Sequence, residues 1–193
     1  GNGRTGLMWG YEHFGVEPDV VVSAKGVASG FQLSFMAASA ELMSRALPGS
    51  QGGTYGGNAV ACAAGLATLD VMRDERLVEN AAARGEQLRA RLEAVQQRHP
   101  EIGNISGRGL MIGTHLVDEH GKPDGARGAK MLKACAHRGL LMIRCGPWGG
   151  NVVRWIPPLI VSAEEIDWAV DQFEAALEAT GTKAPAATMR STG

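Results

Sequence analysis

The sequence predicts an α/β fold, on three observations. Val20-Val21-Val22 is a run of β-branched residues without alternation, which is typical of a strand covered on both faces. Lys25 and Gly26 follow where this strand should end, and ligands of α/β proteins bind outside the carboxyl ends of strands. Residues 59–72 are apolar on nearly every side, as in a helix packed inside such a protein.

The composition is that of an ordinary folded protein. Of the 193 residues, 45% are hydrophobic, which suits one or two small domains. A formal net charge of −1 without charge runs gives no field that would attract nucleic acid or an anionic membrane. No apolar run approaches the roughly 20 residues of a membrane span. The cysteines Cys62, Cys135 and Cys145 lack CxxC spacing, which predicts reduced thiols and a cytoplasmic location.

The first 70 residues alternate short elements with glycine-rich turns. Residues 31–40 predict a second strand, and residues 41–46 predict a short helix. Four glycines then surround Thr54, immediately before the predicted buried helix 59–72. Bare backbone amides and a hydroxyl in such a loop can converge on a phosphate. A merely flexible loop is the alternative.

From Leu77 the pattern becomes amphipathic, with apolar residues at helical spacing as far as Val95. This change predicts a domain boundary, with domains over 1–70 and 71–180. The second domain should be a compact α+β unit, with strands over 109–117, 140–144 and 151–156, a helix over 126–137, and a helix that begins at the capping box Ser162–Glu165. Residues 181–193 are too poor in apolar side chains to order themselves, and we expect a disordered tail.

Two basic residues could carry chemistry. Lys25 is either an ordinary surface lysine that ends a strand or an amine partly withdrawn from water, able to attack a carbonyl carbon and form a Schiff base. Arg154 lies among apolar neighbours, where a guanidinium needs an anion. That anion is either a protein carboxylate or the carboxylate of a ligand.

No metal site is expected, because the five histidines show neither HxxxH nor HExxH spacing. A strand-end lysine, a glycine-rich threonine loop and an arginine for a carboxylate are together the parts that a pyridoxal-phosphate enzyme needs for amino-acid chemistry.

Five stretches resemble the class III (ω-) aminotransferases, which are pyridoxal-phosphate enzymes of fold type I. The resemblance runs in order from residue 1 to about residue 178, and within the family it looks most like the 4-aminobutyrate aminotransferase branch. The stretches are Gly3-Arg-Thr-Gly6, Glu12 to Asp19, Ser23-Ala-Lys-Gly26, Gly52 to Asn58 and Asn151 to Leu159.

The resemblance implies that Lys25 is the catalytic residue that binds pyridoxal phosphate covalently and moves the substrate proton. It implies that Thr54 binds the cofactor phosphate, reaching the site of a neighbouring subunit in a homodimer or higher homo-oligomer. It also implies that Arg154 binds the α-carboxylate of glutamate or 2-oxoglutarate. Residues 1–70 would be the end of the large cofactor domain, and residues 71–180 would be the small C-terminal domain.

The chain departs from the family pattern in two respects. The family's aspartate that pairs with the pyridine nitrogen would lie just upstream of Gly1. We therefore expect a C-terminal portion of a longer enzyme that is inactive alone. Residues 31–34, Phe-Gln-Leu-Ser, also replace the family's more usual turn with glycine and proline.

The expected activity is amino-group transfer from an ω-amino acid, with 4-aminobutyrate the first choice, to 2-oxoglutarate or another 2-oxo acid. The alternatives are a decarboxylase or aminomutase of the same fold, or a non-catalytic piece that serves only subunit association.

Overall fold

The structure is a computed structural model of the chain, and it describes residues 1–50 and 52–180. The predicted tail, residues 181–193, lies outside the described residues. Two compact units are present. The first comprises residues 1–86, 108–111 and 157–161, and the second comprises 87–107, 112–156 and the residues from 162 onward. The boundary between residues 86 and 87 falls within the helix Leu77–Arg98. The domain assignment 1–70 and 71–180 stays a prediction.

The first unit begins with a two-stranded antiparallel sheet in which Val20 pairs with Ala38 and Ser23 with Phe35. Two short 3₁₀ turns, Gly10–Phe14 and Lys25–Ala28, flank its first strand. The elements are β1 (Val20–Ser23), β2 (Phe35–Ala38), α1 (Ala40–Met43), α2 (Ala59–Asp74) and the first part of α3 (Leu77–Arg98). The predicted strands and helices of this region are therefore confirmed, with shorter bounds for β2 and α1.

The expected burial of β1 and α2 is wrong for the described chain. Val22 is 72% exposed and Leu66 of α2 is 66% exposed. Only three residues of α2 are buried, namely Ala61, Gly65 and Met72. Within the described residues β1 pairs with β2 alone, in a two-stranded sheet that leaves Val20 and Val22 exposed.

The second unit contains most of a four-stranded sheet in the order β3-β4-β6-β5. Both β4 and β5 run antiparallel to β6. The strands are β3 (Ile102–Arg108), β4 (Met111–Leu116), β5 (Ile143–Cys145) and β6 (Val152–Trp155), and the helices are α4 (Gly125–His137) and α5 (Ala163–Thr180). Strand β3 was not predicted, because its two glycines and polar residues show no alternation.

The helices of this unit follow the predicted periodicity. In α5, Ile166, Val170, Phe173 and Leu177 are buried, and the Phe173 ring meets Trp155 of β6 edge-on, with centroids 5.0 Å apart. The predicted capping box is present. The Ser162 amide donates to the Glu165 carboxylate at 2.8 Å, and the Glu165 amide donates to the Ser162 hydroxyl at 3.2 Å.

Helix α3 buries the apolar stripe that its sequence predicts: Leu77, Ala81, Leu88, Leu92 and Val95. Among the described residues, no helix is both long enough and apolar enough to cross a membrane.

Candidate active site

A cavity of about 870 Å³ lies within the first unit, and Lys25 lines it. Asn2, Arg4, Ser23 and Ser29 also line it. No aspartate or glutamate is among the described residues that line it. The volume is in the usual range for small-molecule sites, and a lining with two cations and no carboxylate suits an anionic ligand that offers a carbonyl group to an amine.

Lys25 has an unusual backbone conformation. Its φ is +56°, in the left-handed region that non-glycine residues rarely adopt. Lys25 begins the turn Lys25–Ala28 directly after β1, and its side chain is exposed. Within residues 1–50 and 52–180 it has no ion pair or side-chain hydrogen bond. A residue with a strained backbone and an unpaired side chain at the edge of a cavity is typical of a functional position.

The turn after Lys25 is fixed by packing. Val27 is 5% exposed and Ala28 is 1% exposed. This turn packs on α2 at Gly65, where an added Cβ would lie 2.8 Å from the Leu33 side chain and 3.7 Å from the Val27 carbonyl oxygen. The glycine therefore permits close approach of the helix to the segment that carries Lys25.

Pro158, Leu159 and Ile160 also line the cavity. Arg4 donates from Nη1 to the Pro157 carbonyl at 2.7 Å and to the Leu110 carbonyl at 3.2 Å. Asn80 of α3 donates from Nδ2 to the carbonyls of Leu159 and Val161, at 2.7 and 3.1 Å. Charge-assisted and amide hydrogen bonds to backbone carbonyls thus fix a segment that has no regular secondary structure.

Thr54 lies in the first unit, in an exposed turn closed by the bond from the Gly56 amide to the Gly53 carbonyl at 3.0 Å. It is not among the residues that line the cavity. Helix α2 begins five residues later, at Ala59, as predicted, and the Asn58 side chain caps it by accepting from the Ala61 amide at 3.0 Å. The structure therefore shows the glycine-rich turn and the helix start together, and it places Thr54 at the surface.

Arg154 lies in β6 of the second unit, paired with Gly113 of β4 and Ile143 of β5. It is half-buried, whereas Val153 and Trp155 on either side are buried. No carboxylate within residues 1–50 or 52–180 forms an ion pair with its guanidinium. The structural salt bridge that the sequence left open is therefore not formed in the described chain, and the guanidinium is free to bind an external anion.

Sequence reasoning missed the residues around Lys25. The buried Ser23 hydroxyl donates to the Asn2 side-chain oxygen at 3.0 Å, and Asn2 itself has φ +49°. Asparagine between two glycines was the available signal, because asparagine is enriched in left-handed turns.

Comparison with known proteins identifies the family. Residues 1–177 match the family model described as aminotransferase class III. The 4-aminobutyrate aminotransferase GabT of Escherichia coli (strain K12) is 39% identical over 86% of this chain and 39% of its own length. The acetylornithine aminotransferase of Thermosynechococcus vestitus is 42% identical over 92% of this chain and 41% of its own length. The diaminobutyrate–2-oxoglutarate aminotransferase of Rhizobium meliloti is 39% identical over 95% of this chain and 40% of its own length.

Solved structures agree with this family. A Bacillus anthracis aminotransferase matches with a TM-score of 0.84 at 33% identity, over 93% of this chain and 43% of that chain. A phospholyase from Arthrobacter, in complex with phosphoethanolamine, matches with a TM-score of 0.87 at 36% identity, over 92% of this chain and 43% of that chain. The chain spans about two-fifths of the length of the curated relatives that it matches.

Proposed function

Because the chain belongs to the class III aminotransferases, we propose that the full-length enzyme is a pyridoxal-phosphate-dependent transaminase. It moves an amino group between an ω-amino acid and 2-oxoglutarate or another 2-oxo acid. One observation carries this proposal: Lys25, whose side chain has no partner in the described chain, lines the cavity from a left-handed backbone position at the end of β1. The expected roles of Lys25, Thr54 and Arg154 are part of the proposal.

The residues of the cavity fit the cofactor. Pyridoxal phosphate supplies an aldehyde that condenses with amines and a ring that withdraws electrons from the substrate carbon. Lys25 Nζ would be the amine that holds this aldehyde covalently, and when unbound it could carry a proton to and from the substrate carbon. The turn around Thr54, which lies outside this cavity, would hold the phosphate through its hydroxyl and backbone amides at the site of a neighbouring subunit. Because no aspartate or glutamate lines the cavity in the described chain, the residue that pairs with the pyridine nitrogen would come from elsewhere in the full-length enzyme.

Arg154 binds the α-carboxylate of glutamate or 2-oxoglutarate, because its planar fork can donate two parallel hydrogen bonds and no protein carboxylate in the described chain competes for it. The relatives at about 40% identity are named for 4-aminobutyrate, acetylornithine and diaminobutyrate. These amino donors share a terminal amino group remote from the carboxylate. We take 4-aminobutyrate as the first donor to test.

The full-length enzyme is further proposed to be a homodimer or higher homo-oligomer in the cytoplasm. The exposed position of Thr54, away from the cavity that Lys25 lines, fits a residue that serves the site of a neighbouring subunit. Three free cysteines, Cys62, Cys135 and Cys145, fit a reducing compartment.

A second candidate is lyase chemistry on the same fold, because one similar structure is a phospholyase in complex with phosphoethanolamine. Decarboxylation or amino-group migration within one substrate would use the same lysine. Product analysis distinguishes these reactions. Release of phosphate or carbon dioxide, or turnover without any oxo-acid acceptor, would replace transamination in the proposal.

The deciding variant is Lys25→Ala in the full-length enzyme, with Lys133→Ala as the matched control. Lys133 is an exposed lysine of α4 in the second unit. With 4-aminobutyrate and 2-oxoglutarate, Lys25→Ala should abolish glutamate formation, and Lys133→Ala should leave the rate unchanged. A Lys25→Ala enzyme with wild-type turnover would exclude the Schiff-base role and favour a structural one.

A further inference from the structure

Left-handed residues are concentrated at the cavity. Four non-glycine residues of the described chain have positive φ values: Asn2, Lys25, Ser29 and Arg76. Three of them, all except Arg76, line the cavity. Such conformations persist only where surrounding contacts outweigh their cost. Whatever holds Lys25 in this state also decides where its amine lies.

Two residues before Lys25, the Ser23 side chain is hydrogen-bonded to the side chain of Asn2. Ser23 is the last residue of β1, is 8% exposed and donates its hydroxyl to Asn2 Oδ1 at 3.0 Å. The Asn2 amide nitrogen lies near Gly26, where an added Cβ would come within 3.6 Å of it. The side chain of Asn2 therefore bonds to the Ser23 side chain, two residues before Lys25, and lies near Gly26, the residue after it.

The turn that presents Asn2 is itself well anchored. The Gly3 amide donates to the Met8 carbonyl at 3.0 Å. Gly3 is buried, and an added Cβ there would lie 2.8 Å from Met72 Cε and 3.0 Å from Val78 Cγ2. Asn2 is thus fixed with respect to α2 and α3 of the first unit, and its amide can serve as a rigid reference for the end of β1.

We propose that Asn2 is a positioning residue for Lys25: its hydrogen bond with Ser23 holds the end of β1 so that the Lys25 amine faces the cavity. The proposal rests on the proposed function, because it assumes that this amine is the one that reacts with pyridoxal phosphate. Without the bond, the backbone at Lys25 relaxes toward the extended region, and the amine leaves the cavity for part of the time.

Substitutions at Asn2 and Ser23 distinguish the effect of their hydrogen bond from the effect of the left-handed turn at Asn2. Asn2→Gly keeps the left-handed turn, which glycine adopts freely, and removes the hydrogen-bond acceptor. Asn2→Asp keeps an oxygen that can accept from Ser23. Ser23→Ala removes the donor without touching the turn, and Ser39→Ala is the control, since Ser39 accepts a hydrogen bond from the Leu42 amide elsewhere in the first unit.

The measurement is the reactivity of the amine and not turnover. The full-length enzyme without cofactor is mixed with pyridoxal phosphate and cyanoborohydride. The amine condenses with the aldehyde with loss of water, and hydride from cyanoborohydride reduces the product to a stable secondary amine. Peptide mass spectrometry gives the labelling rate at Lys25, and the exposed lysines Lys130 and Lys133 in the same molecule are internal references.

We expect Asn2→Gly and Ser23→Ala to slow labelling of Lys25 by about three- to tenfold, the equivalent of one net hydrogen bond. The double variant should be no slower than either single variant, because both remove the same bond. Asn2→Asp and Ser39→Ala should stay within about twofold of wild type, since each keeps that bond. Rates at Lys130 and Lys133 should not change.

Each other outcome has a definite meaning. If Lys25 of the wild-type enzyme labels no faster than Lys130, the proposed function fails. If Lys25 labels selectively but Asn2→Gly and Ser23→Ala leave its rate unchanged, the positioning role of Asn2 fails and the proposed function stands. If Asn2→Gly accelerates all three lysines because the turn unfolds, Ser23→Ala decides the question alone, since it leaves the turn intact.

Discussion

Replacing Gly85 by alanine tests whether helix propensity or close packing decides the stability of the chain at this position of α3. Gly85 lies inside α3, where alanine is ordinarily more stable than glycine by about 1 kcal/mol. An added Cβ at Gly85 would lie 2.5 Å from the Gly109 carbonyl carbon and 2.6 Å from its oxygen, whereas ordinary contact begins at 3.4 Å. Helix and loop would therefore have to separate.

Separation is costly because Gly109 is blocked on its other side. An added Cβ at Gly109 would itself lie 2.5 Å from the Thr5 carbonyl carbon, so this loop is already packed against the backbone of residues 4 and 5. The Leu110 amide donates to the Arg4 carbonyl at 2.9 Å in the same place. Overpacking costs about 1–3 kcal/mol, and loss of that hydrogen bond adds about 1 kcal/mol. These terms exceed the propensity gain, and Gly85→Ala should lower the free energy of unfolding by about 1–3 kcal/mol.

The assay is urea denaturation followed by far-ultraviolet circular dichroism, with Ala83→Gly as the matched control. Ala83 is exposed on α3 two residues earlier, so its replacement reports propensity alone and should cost about 1 kcal/mol. Both variants should therefore lower the urea midpoint. If Gly85→Ala instead raises the midpoint by as much as Ala83→Gly lowers it, the close approach of the two backbones does not control stability.

Three further outcomes follow from local chemistry. Ser162→Ala should lower the free energy of unfolding by about 1 kcal/mol through loss of the α5 cap, as urea denaturation would show. Burial raises the pKa of the Cys135 thiol to about 11, so at pH 8 Ellman's reagent should label the exposed Cys145 at once and Cys135 only after unfolding. The hydrogen bond from the Lys122 amide holds the pKa of Asp118 below its ordinary value. The ionised Asp118 carboxylate therefore stabilises the turn 118–122 at pH values above the ordinary pKa of an aspartate. This stabilisation is lost as the pH falls through the lowered pKa. A carbon-13 titration of the Asp118 carboxyl group would measure that pKa.

The elements that were predicted well from the sequence are helices whose apolar side is buried within the described chain. Helices α3 and α5 repeat apolar residues at helical spacing, and the capping box at Ser162 is a local signal that needs no tertiary information. Strand β3 lacks any periodic signal of its own and forms because β4 offers it a partner in the sheet. Cross-strand pairing of this kind depends on residues distant in sequence, so a local pattern cannot reveal it.

For the candidate site, residue chemistry was predictable and residue conformation was not. The strand-end position of Lys25 and the helix start after the Thr54 turn follow from apolar runs and glycine placement. The contact between Ser23 and Asn2 joins residues 21 positions apart and is invisible to periodicity. Similarly, three valines predict a strand but leave its burial undetermined, because burial depends on what packs over the strand.

The left-handed conformation of Lys25 leads to a prediction that reverses an ordinary rule. A non-glycine residue in this region costs about 1–2 kcal/mol, and glycine avoids that cost. Lys25→Gly should therefore be more stable than Lys25→Ala by about 1 kcal/mol, after allowance for the greater freedom of glycine in the unfolded chain. At Lys133, inside α4, the same pair of substitutions should give the opposite order, with alanine more stable by about 1 kcal/mol. Urea denaturation of the four variants measures both differences. If alanine is more stable than glycine at both positions, the backbone at Lys25 is unstrained. If glycine is more stable than alanine at position 25, the fold keeps a lysine where glycine would be the more stable residue. Such a cost in stability is expected of a residue that is retained for its amine.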